Sequence, residues 1–396
     1  MRIKYCYLLL LTVFFSCSSE EKTESGGAED FNFSYTVDTV MVDAGDHFVY
    51  LQQNLGSSDI TPDGRYLLNF NGKETEMEIV DLDELKLSSV VKLEQEGPNG
   101  IGTSASFFTY KAISKDEIMF ASWEKLIKLD LSTKSTTNYS LKNENLPQGS
   151  MAPNEELRPG GLFSSNGATF YSWYGVQEKP YEYEGLAKID LKSLEINVIP
   201  IPQMDKLDQF TIDVEISDGI TGKFGESIGI IEVEDKIILQ PSAINEFWVM
   251  DKPTQEVTVK VNQSNLTENI KAGDFTNKIT SREAFKEARD KMRKGVSFGS
   301  LVHDSDRDLL WRISSDLDHM NGEAMVRNFY LTFFDLDLNQ IGEFKLENWE
   351  LTGKVFIKDG DFYQFINIED EMAFVRLKPT RRSASRRQKR GFPIFL

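Results

Sequence analysis

The chain has 396 residues, with 63 acidic and 44 basic side chains and a net charge of −19 at pH 7. Such a surface repels nucleic acid, whose binding requires cationic side chains to neutralise phosphates, so we expect no nucleic-acid partner. The two cysteines, Cys6 and Cys17, lie near the start of the chain. We therefore expect no disulfide and no cysteine-based metal site in the rest of the protein.

The first 16 residues are typical of a bacterial lipoprotein signal peptide. Arg2 and Lys4 precede an apolar run from Tyr5 to Phe15, which is too short to span a bilayer as a helix but suits the apolar region of an export signal. Ser16-Cys17 closes this run as a lipobox does. The pattern predicts Cys17 as the lipid-attachment residue, with plain secretion as the alternative.

Residues 17–30 form a polar segment that predicts an acidic tether. It begins with Ser18-Ser19-Glu20-Glu21, which resembles an export tag of Bacteroidota surface lipoproteins. We therefore expect an outer-membrane location, lipid-anchored and facing the cell surface; the periplasmic face is the alternative. An acidic body is repelled by anionic lipid, so the membrane contact depends on the covalent anchor.

From residue 31 onward the sequence predicts an all-β fold built from a repeated unit. Short β-branched and aromatic runs alternate with Gly, Asn, Asp and Pro, as strands and turns require. In each unit a turn leads into a strand, and a second turn leads into an apolar strand that usually ends in Asp. These second strands are centred on residues 78–82, 126–131, 186–191, 247–251, 330–336 and 372–377.

Six such units indicate a six-bladed β-propeller over residues 31–380. Units of four strands at about 40–50 residues plus loops are typical of propeller blades. A further strand at residues 34–42 precedes the first unit, and we expect it to complete the last blade. A β-sandwich array or a β-helix is the alternative, and the irregular repeat spacing disfavours the β-helix.

A helical insertion explains the long interval of 84 residues between Asp251 and Asp335. Thr280 and Glu283 match a capping box, and Gly295 ends the segment. We predict one helix over residues 281–294, with a narrow apolar stripe and an otherwise cationic surface. It is either an insertion lying on the propeller or a basic lid or partner helix.

The last 16 residues predict a basic disordered tail. Residues 381–390 are rich in arginine and precede a short apolar end at residues 391–396. We expect no fold here and no nucleic-acid-binding role.

The sequence resembles a family of six-bladed propeller lipoproteins of Bacteroidota known as a domain of unknown function. The resemblance covers about residues 30–378 and rests on the Asp-Leu strand ends, on Glu96 to Gly102, and on the turn and strand from Asp304 to Arg312. It implies a fold and a location. It implies no catalytic residues.

Motifs that could indicate catalysis lack their required context. Residues 225–229 match the serine-hydrolase pattern around Ser227, but a strand rather than a helix is predicted after them. Residues 100–105 match a dinucleotide fingerprint without the flanking strand and helix. Acidic and histidine residues near His303 and His319 suggest turns. We therefore predict no catalytic residues, no metal site and no cofactor.

Aromatic residues cluster in a predicted loop at residues 171–183. Trp173, Tyr174, Tyr181 and Tyr183 lie near several glutamates, a combination that suits stacking and hydrogen bonding to sugars. The leading hypothesis is a non-catalytic binding or scaffold module for an outer-membrane protein partner or a ligand. The alternatives are a glycan- or peptide-binding accessory using this loop, and a hydrolase or lyase with a site in the propeller funnel.

Overall fold

The structure is a computed structural model that describes residues 34–102, 107–142, 145–147, 150–179, 182–216, 220–273 and 278–379. The predicted signal peptide, the tether with Cys17, the tail at 381–396 and Tyr181 lie outside the described residues. Within the described residues, the strands form six four-stranded antiparallel sheets and one three-stranded sheet.

The first three sheets follow one another along the chain. The first sheet contains β2 (Ser58–Ile60), β3 (Tyr66–Asn71), β4 (Glu76–Asp81) and β5 (Lys86–Lys92). The second contains β6 (Phe107–Ser114), β7 (Glu117–Ser122), β8 (Lys125–Asp130) and β9 (Ser135–Ser140). The third contains β10 (Glu155–Phe163), β11 (Thr169–Val176), β12 (Gly185–Asp190) and β13 (Ile196–Pro200).

The other three four-stranded sheets repeat this order, and the sixth takes one strand from the start of the chain. The fourth sheet contains β16 (Ile228–Val233), β17 (Lys236–Pro241), β18 (Glu246–Asp251) and β19 (Val257–Val261). The fifth contains β21 (Ser297–Asp304), β22 (Leu309–Asn321), β23 (Ala324–Asp335) and β24 (Gln340–Leu346). The sixth contains β25 (Val355–Lys358), β26 (Asp361–Ile368), β27 (Glu371–Pro379) and β1 (Tyr35–Met41).

An insertion lies between the third and fourth sheets and again between the fourth and fifth. It forms the small sheet, β14 (Ile212–Ile216), β15 (Ile220–Phe224) and β20 (Lys278–Ile279), and the helix α1 (Arg282–Lys294). In the part of the chain that the structure describes, 3-10 helices lie at Gln52–Leu55 and Pro202–Phe210. No helix among the described residues is long and apolar enough to cross a membrane.

Hydrophobic clusters join each four-stranded sheet to the next. The first and second sheets share one cluster, in which the Phe70 and Phe120 rings lie 5.5 Å apart. Similar clusters join the second to the third, the third to the fourth, the fourth to the fifth and the fifth to the sixth sheet. A further cluster places Leu67 and Val80 of the first sheet against Phe374 of the sixth. The core therefore lies between sheets, where burial of apolar surface stabilises both neighbours.

The all-β prediction is confirmed, and the Asp-ended strands have a common position. The five that end in Asp are β4, β8, β12, β18 and β23, and each is the third strand of its unit in chain order. Strand β27 has the same position in the sixth unit but lacks the Asp. The Asp side chain accepts hydrogen bonds from backbone N–H groups of the turn that follows, as Asp130 does from Ser132 and Thr133. This Asx-type turn explains why Asp recurs at the strand end.

Two details of the predicted insertion are wrong. The N-cap of α1 is Ser281, whose Oγ accepts a hydrogen bond from Ala284 N over 3.2 Å, so Thr280 and Glu283 do not form the predicted capping box. The insertion also contains the small sheet, whereas only a helix was predicted there. The helix packs on that sheet through Ala288 and Met292.

Candidate functional site

Helix α1 forms one wall of a large cavity. Its apolar side, which includes the predicted stripe residues Ala284, Phe285, Ala288 and Met292, packs on the small sheet. This packing leaves the cationic side of the helix exposed.

The opposite wall is the hairpin of β22 and β23, which extends past its neighbours. The pairing of β21 with β22 begins at Ser315, whereas β22 pairs with β23 as far as Asn321. The tip of this hairpin therefore extends beyond β21 and lines the space beside α1.

The cavity between these elements has a volume of about 950 Å³ and is here called the basic cavity. Its lining comprises Gly225, Glu226, Ser227, Ser242, Lys271, Lys286, Arg289, Asp290, Met292, Arg293, Lys294, Ser297, Ser315, Met320, Gly322, Glu323, Ala324, Met325 and Arg327. Six of these residues are cationic and three are acidic. The cavity is thus positive on a chain whose net charge is −19.

Two of the six cations are held by the protein itself. Lys271 Nζ lies 2.6 Å from Glu226 Oε1, and both side chains are buried. Arg327 donates to the carbonyl oxygens of Arg293 and Gly295, at the end of α1. Burial lowers the pKa of Arg327. These contacts fix the cavity wall, because a cation at a helix C-terminus satisfies carbonyls that lack intrahelical partners.

The other four cations, Lys286, Arg289, Arg293 and Lys294, are exposed and all come from α1. Arg289 lies over the Phe285 ring at 5.8 Å. Within the described residues the side chains of the other three make no ion pair or hydrogen bond, so their charges are available to a ligand. The hydroxyls of Ser227, Ser242, Ser297 and Ser315 add polar groups to the lining.

Ser227, the centre of the hydrolase-like pattern, lies in this lining. It directly precedes strand β16, so the strand, sharp turn and helix that a nucleophile elbow requires are not formed here. The serine contributes a hydroxyl to the lining of the cavity.

The predicted aromatic loop is largely a strand. Trp173 and Tyr174 belong to β11 and are 6% and 3% exposed. Trp173 packs in the cluster between the third and fourth sheets, and burial raises the pKa of Tyr174 to about 12. The loop interpretation is wrong because the alternation of large aromatic residues here covers both faces of a strand between two neighbouring sheets.

Of the three predicted aromatic residues that the structure describes, Tyr183 is the exposed one. Its ring is 40% exposed and stacks on Trp173, with centroids 5.4 Å apart and an interplanar angle of 26°. It lines a second cavity of about 250 Å³ together with Glu182, Glu184, Asp205 and Asp208, among others. Burial raises the pKa of Asp208 in this acidic cavity. The acidic cavity and the basic cavity share Gly225 and Glu226.

One group of described residues could hold a metal ion, at a position where no metal site was predicted from the sequence. His47, Glu76 and Glu78 each offer a ligand atom, and these atoms lie within 4.8 Å of one another. His47 lies 31 residues before Glu78, so no local spacing indicates this group. The only sequence signal is the Glu-x-Glu pair within a strand.

Comparison with known proteins assigns the family. The model of a domain of unknown function, DUF4221, matches residues 30–345. The chain belongs to this family. No curated protein matches the DUF4221 chain.

A solved structure of this family has a similar fold. A DUF4221 family member from Bacteroides vulgatus ATCC 8482 has 16% identity and a TM-score of 0.61, over 88% of this chain and 98% of that one. The WD40 domain of Neurospora crassa Pan2 has 7% identity and a TM-score of 0.42, over 82% of this chain and 89% of that one. The resemblance to an uncharacterised Bacteroidota family is thereby confirmed.

Proposed function

We propose that this DUF4221 chain is an exported, lipid-anchored β-propeller that binds an anionic ligand in the basic cavity, without catalysis. The observation that carries the proposal is the concentration of four exposed cations of α1 on one cavity wall of an acidic protein. Carboxylate and phosphate groups are the partners that lysine and arginine bind best.

The six four-stranded sheets are proposed to be the blades of a closed propeller. The clusters that join successive sheets, and the cluster between the first and the sixth, support this arrangement. The pairing of β1 with β27 over seven residues supports closure by the N-terminal strand. In this arrangement the insertion stands at one end of two adjacent blades.

The anchor is proposed to be a lipid on Cys17, in the outer membrane and at the cell surface. The support is the lipobox at Ser16-Cys17 and the acidic segment that follows it. A tether of residues 17–30 would separate the folded part from the membrane. Loss of palmitate labelling in a Cys17→Ala variant, with export retained, would be the expected result; labelling that persists would contradict the anchor.

The electrostatic character of the proposed site defines the ligand. A positive cavity on a negative protein concentrates field lines and attracts anions, and added salt weakens the attraction. We expect a ligand with several carboxylate or phosphate groups and a size of a few sugar or amino-acid units. Neutral ligands of the same size are expected to bind weakly.

The test compares an oligogalacturonate with a neutral oligosaccharide of equal length, and an oligoglutamate with an oligoglutamine, by calorimetry on the purified protein. At least one anionic probe is expected to bind, with affinity that falls as salt rises from 50 to 200 mM. The double variant Lys286→Gln/Arg293→Gln is expected to bind that probe about tenfold more weakly, since each lost ion pair in an exposed site contributes up to about 1 kcal/mol.

The matched control is Lys134→Gln/Lys192→Gln, which removes two exposed lysines from turns of the second and third sheets. It has the same change in net charge and is expected to retain affinity within about twofold. Equal losses in both double variants would mean that the binding depends only on net charge. Absence of binding by every anionic probe would also contradict the proposal.

A second candidate function is glycan binding in the acidic cavity. The exposed ring of Tyr183, stacked on Trp173 and flanked by Glu182 and Glu184, favours it. An aromatic face with neighbouring carboxylates can stack on a sugar ring and accept hydrogen bonds from its hydroxyls.

A further inference from the structure

The segment between β1 and β2 carries His47 onto the first sheet, where it meets two glutamates. Glu76 and Glu78 are separated by one residue in β4, so their side chains lie on the same face of the strand. His47 Nε2 lies 3.0 Å from Glu78 Oε1 and 3.7 Å from Glu76 Oε1.

Both carboxyl groups are buried to a degree that calls for a compensating cation. Glu76 and Glu78 are 3% and 0% exposed, and a buried carboxylate is costly unless it is paired or binds a metal. Lys92 Nζ lies 2.8 Å from Glu76 Oε2. Within the described residues, His47 is the only ionisable cation within 4.0 Å of Glu78.

One of the neutral side chains around Glu78 has a buried oxygen without a hydrogen-bond partner. Glu78 accepts hydrogen bonds from Tyr50 N and from the Nδ2 groups of Asn69 and Asn71. Asn69 lies directly opposite Glu78 in the ladder, and its Nδ2 is 2.7 Å from Glu78 Oε2. The other atom of this amide, Asn69 Oδ1, is buried and has no hydrogen-bond partner. A buried polar atom of this kind requires an explanation, and an ion is one.

We propose that His47, Glu76 and Glu78 bind a divalent transition-metal ion of the Zn²⁺ type. Ligands at about 2.1 Å from a tetrahedral ion lie about 3.4 Å apart, and the 3.0 and 3.7 Å separations lie on either side of that value. One imidazole with two carboxylates suits Zn²⁺ or Mn²⁺ better than Ca²⁺ or Mg²⁺, which prefer all-oxygen sites.

The position of the site gives the ion a structural role. His47 follows β1, which belongs to the sixth sheet, whereas Glu76 and Glu78 belong to the first sheet. The ion would fix the segment that passes from the sixth sheet to the first onto strand β4. It is independent of the anionic ligand proposed for the basic cavity, so either proposal can fail alone.

The test uses the purified protein after removal of metals with a chelator and exchange into chelator-free buffer. Zn²⁺ is expected to bind with a stoichiometry of one in calorimetry and to raise Tm by at least about 2 °C at saturation. Ca²⁺ and Mg²⁺ are expected to have no such effect. The His47→Gln variant is expected to lose at least tenfold in Zn²⁺ affinity, and His319→Gln, which changes an exposed histidine elsewhere, is expected to retain it.

Spectroscopy on the unaltered protein keeps the test valid if His47→Gln does not fold. Co²⁺ in place of Zn²⁺ is expected to give the visible absorption of a four-coordinate site, displaced by one equivalent of Zn²⁺. Absence of Zn²⁺ binding by the metal-free protein would overturn the proposal, as would equal binding by His47→Gln. A Tm that is unchanged by saturating Zn²⁺ would likewise overturn the proposal.

Discussion

Lys271 Nζ lies 2.6 Å from Glu226 Oε1 in the wall of the basic cavity, and the two side chains are 5% and 7% exposed. Ser242 Oγ donates to the second oxygen of Glu226 over 2.7 Å. This ion pair joins the segment before β16 to the segment before β20. It therefore holds the cavity wall in place even though it is not itself available to a ligand.

The first prediction concerns the strength of this pair. Lys271→Met or Glu226→Gln is expected to lower the free energy of unfolding by about 3–5 kcal/mol, because each leaves a buried group without its partner. The double variant is expected to lose much less than the sum of the two. Urea denaturation of the four proteins measures the coupling.

An exposed ion pair supplies the control for this double-mutant cycle. Lys278 Nζ and Glu215 Oε2 lie 3.6 Å apart with side chains 72% and 70% exposed. The equivalent cycle there is expected to give about 1 kcal/mol or less. Additive effects of the Lys271 and Glu226 changes would mean that the buried pair does not act as a unit.

The second prediction concerns acid stability at the pairing of β1 with β27. Hydrogen bonds from Arg376, opposed by burial and aided by Lys378, lower the pKa of Asp38 from 3.8 to about 2. A carboxyl group with a lowered pKa stabilises the folded state above about pH 4, and this contribution is lost as the pH falls towards about 2. Asp38→Asn is therefore expected to reduce the loss of unfolding free energy between pH 5 and pH 2.

The size of this effect is limited by solvent. Asp38 is 41% exposed, so water and salt screen the pair and we expect a contribution of about 1 kcal/mol or less at pH 7. Asp46→Asn, which removes one carboxylate at an exposed position before β2, is the control. Identical pH profiles for Asp38→Asn and the parent protein would contradict the role of the pair.

The third prediction separates packing from ligand contact in the aromatic cluster. Trp173→Ala is expected to lower the free energy of unfolding by about 3–5 kcal/mol, because the indole is part of a buried cluster. Tyr183→Ala is expected to cost about 1 kcal/mol or less, because its ring is partly exposed. Chemical denaturation measures both.

Only the Tyr183 variant is therefore informative for glycan binding. If the acidic cavity binds sugar, Tyr183→Ala is expected to weaken that binding by about two- to twelvefold while unfolding remains nearly unchanged, since stacking contributes about 0.5–1.5 kcal/mol beyond area burial. Tyr183→Phe retains the ring and serves as the control. Unchanged affinity in Tyr183→Ala would remove this candidate function.

The fourth prediction concerns the turn after each Asp-ended strand. Lys134 follows Asp130 and has φ of 58°, a left-handed conformation that costs a non-glycine residue about 1–2 kcal/mol. Lys134→Gly is expected to be more stable than Lys134→Ala by about 1 kcal/mol, measured by thermal unfolding. Lys192→Gly, outside the positive-φ positions, is expected to be less stable than Lys192→Ala.

The repeated unit could be predicted from the sequence because its signal is local. Asp81, Asp190 and Asp335 each accept hydrogen bonds from N–H groups two to four residues later. This local requirement places Asp at the same point of successive units. The sixth unit lacks the Asp.

The first strand of each unit was harder to predict. Strand β2 has three residues, and β10 contains Pro159, Gly160 and a register shift between Arg158 and Gly161. Short or bulged strands lack a clear alternation of polar and apolar residues. Their place in the sheet depends on pairing with the strand that follows.

The candidate site could not be predicted because its parts are distant in sequence. The lining of the basic cavity runs from Gly225 to Arg327, and only the cationic side of α1 was visible as a local pattern. Trp173 and Tyr174 show the converse, since an aromatic cluster that suggested a ligand site proved to be core. Local composition does not reveal which face of a strand meets a neighbouring sheet.

The pairing of β1 with β27 also sets an order for biosynthesis. Asp38 and Arg376 lie 338 residues apart in the chain, so β1 has to wait for almost the whole polypeptide before it meets its partner strand. Contacts of such long sequence range form slowly, and unpaired strands are prone to aggregation in the meantime. A chain that ends early lacks this partner strand and leaves β1 as an unpaired segment. Proteases can thereby distinguish incomplete chains from the finished protein.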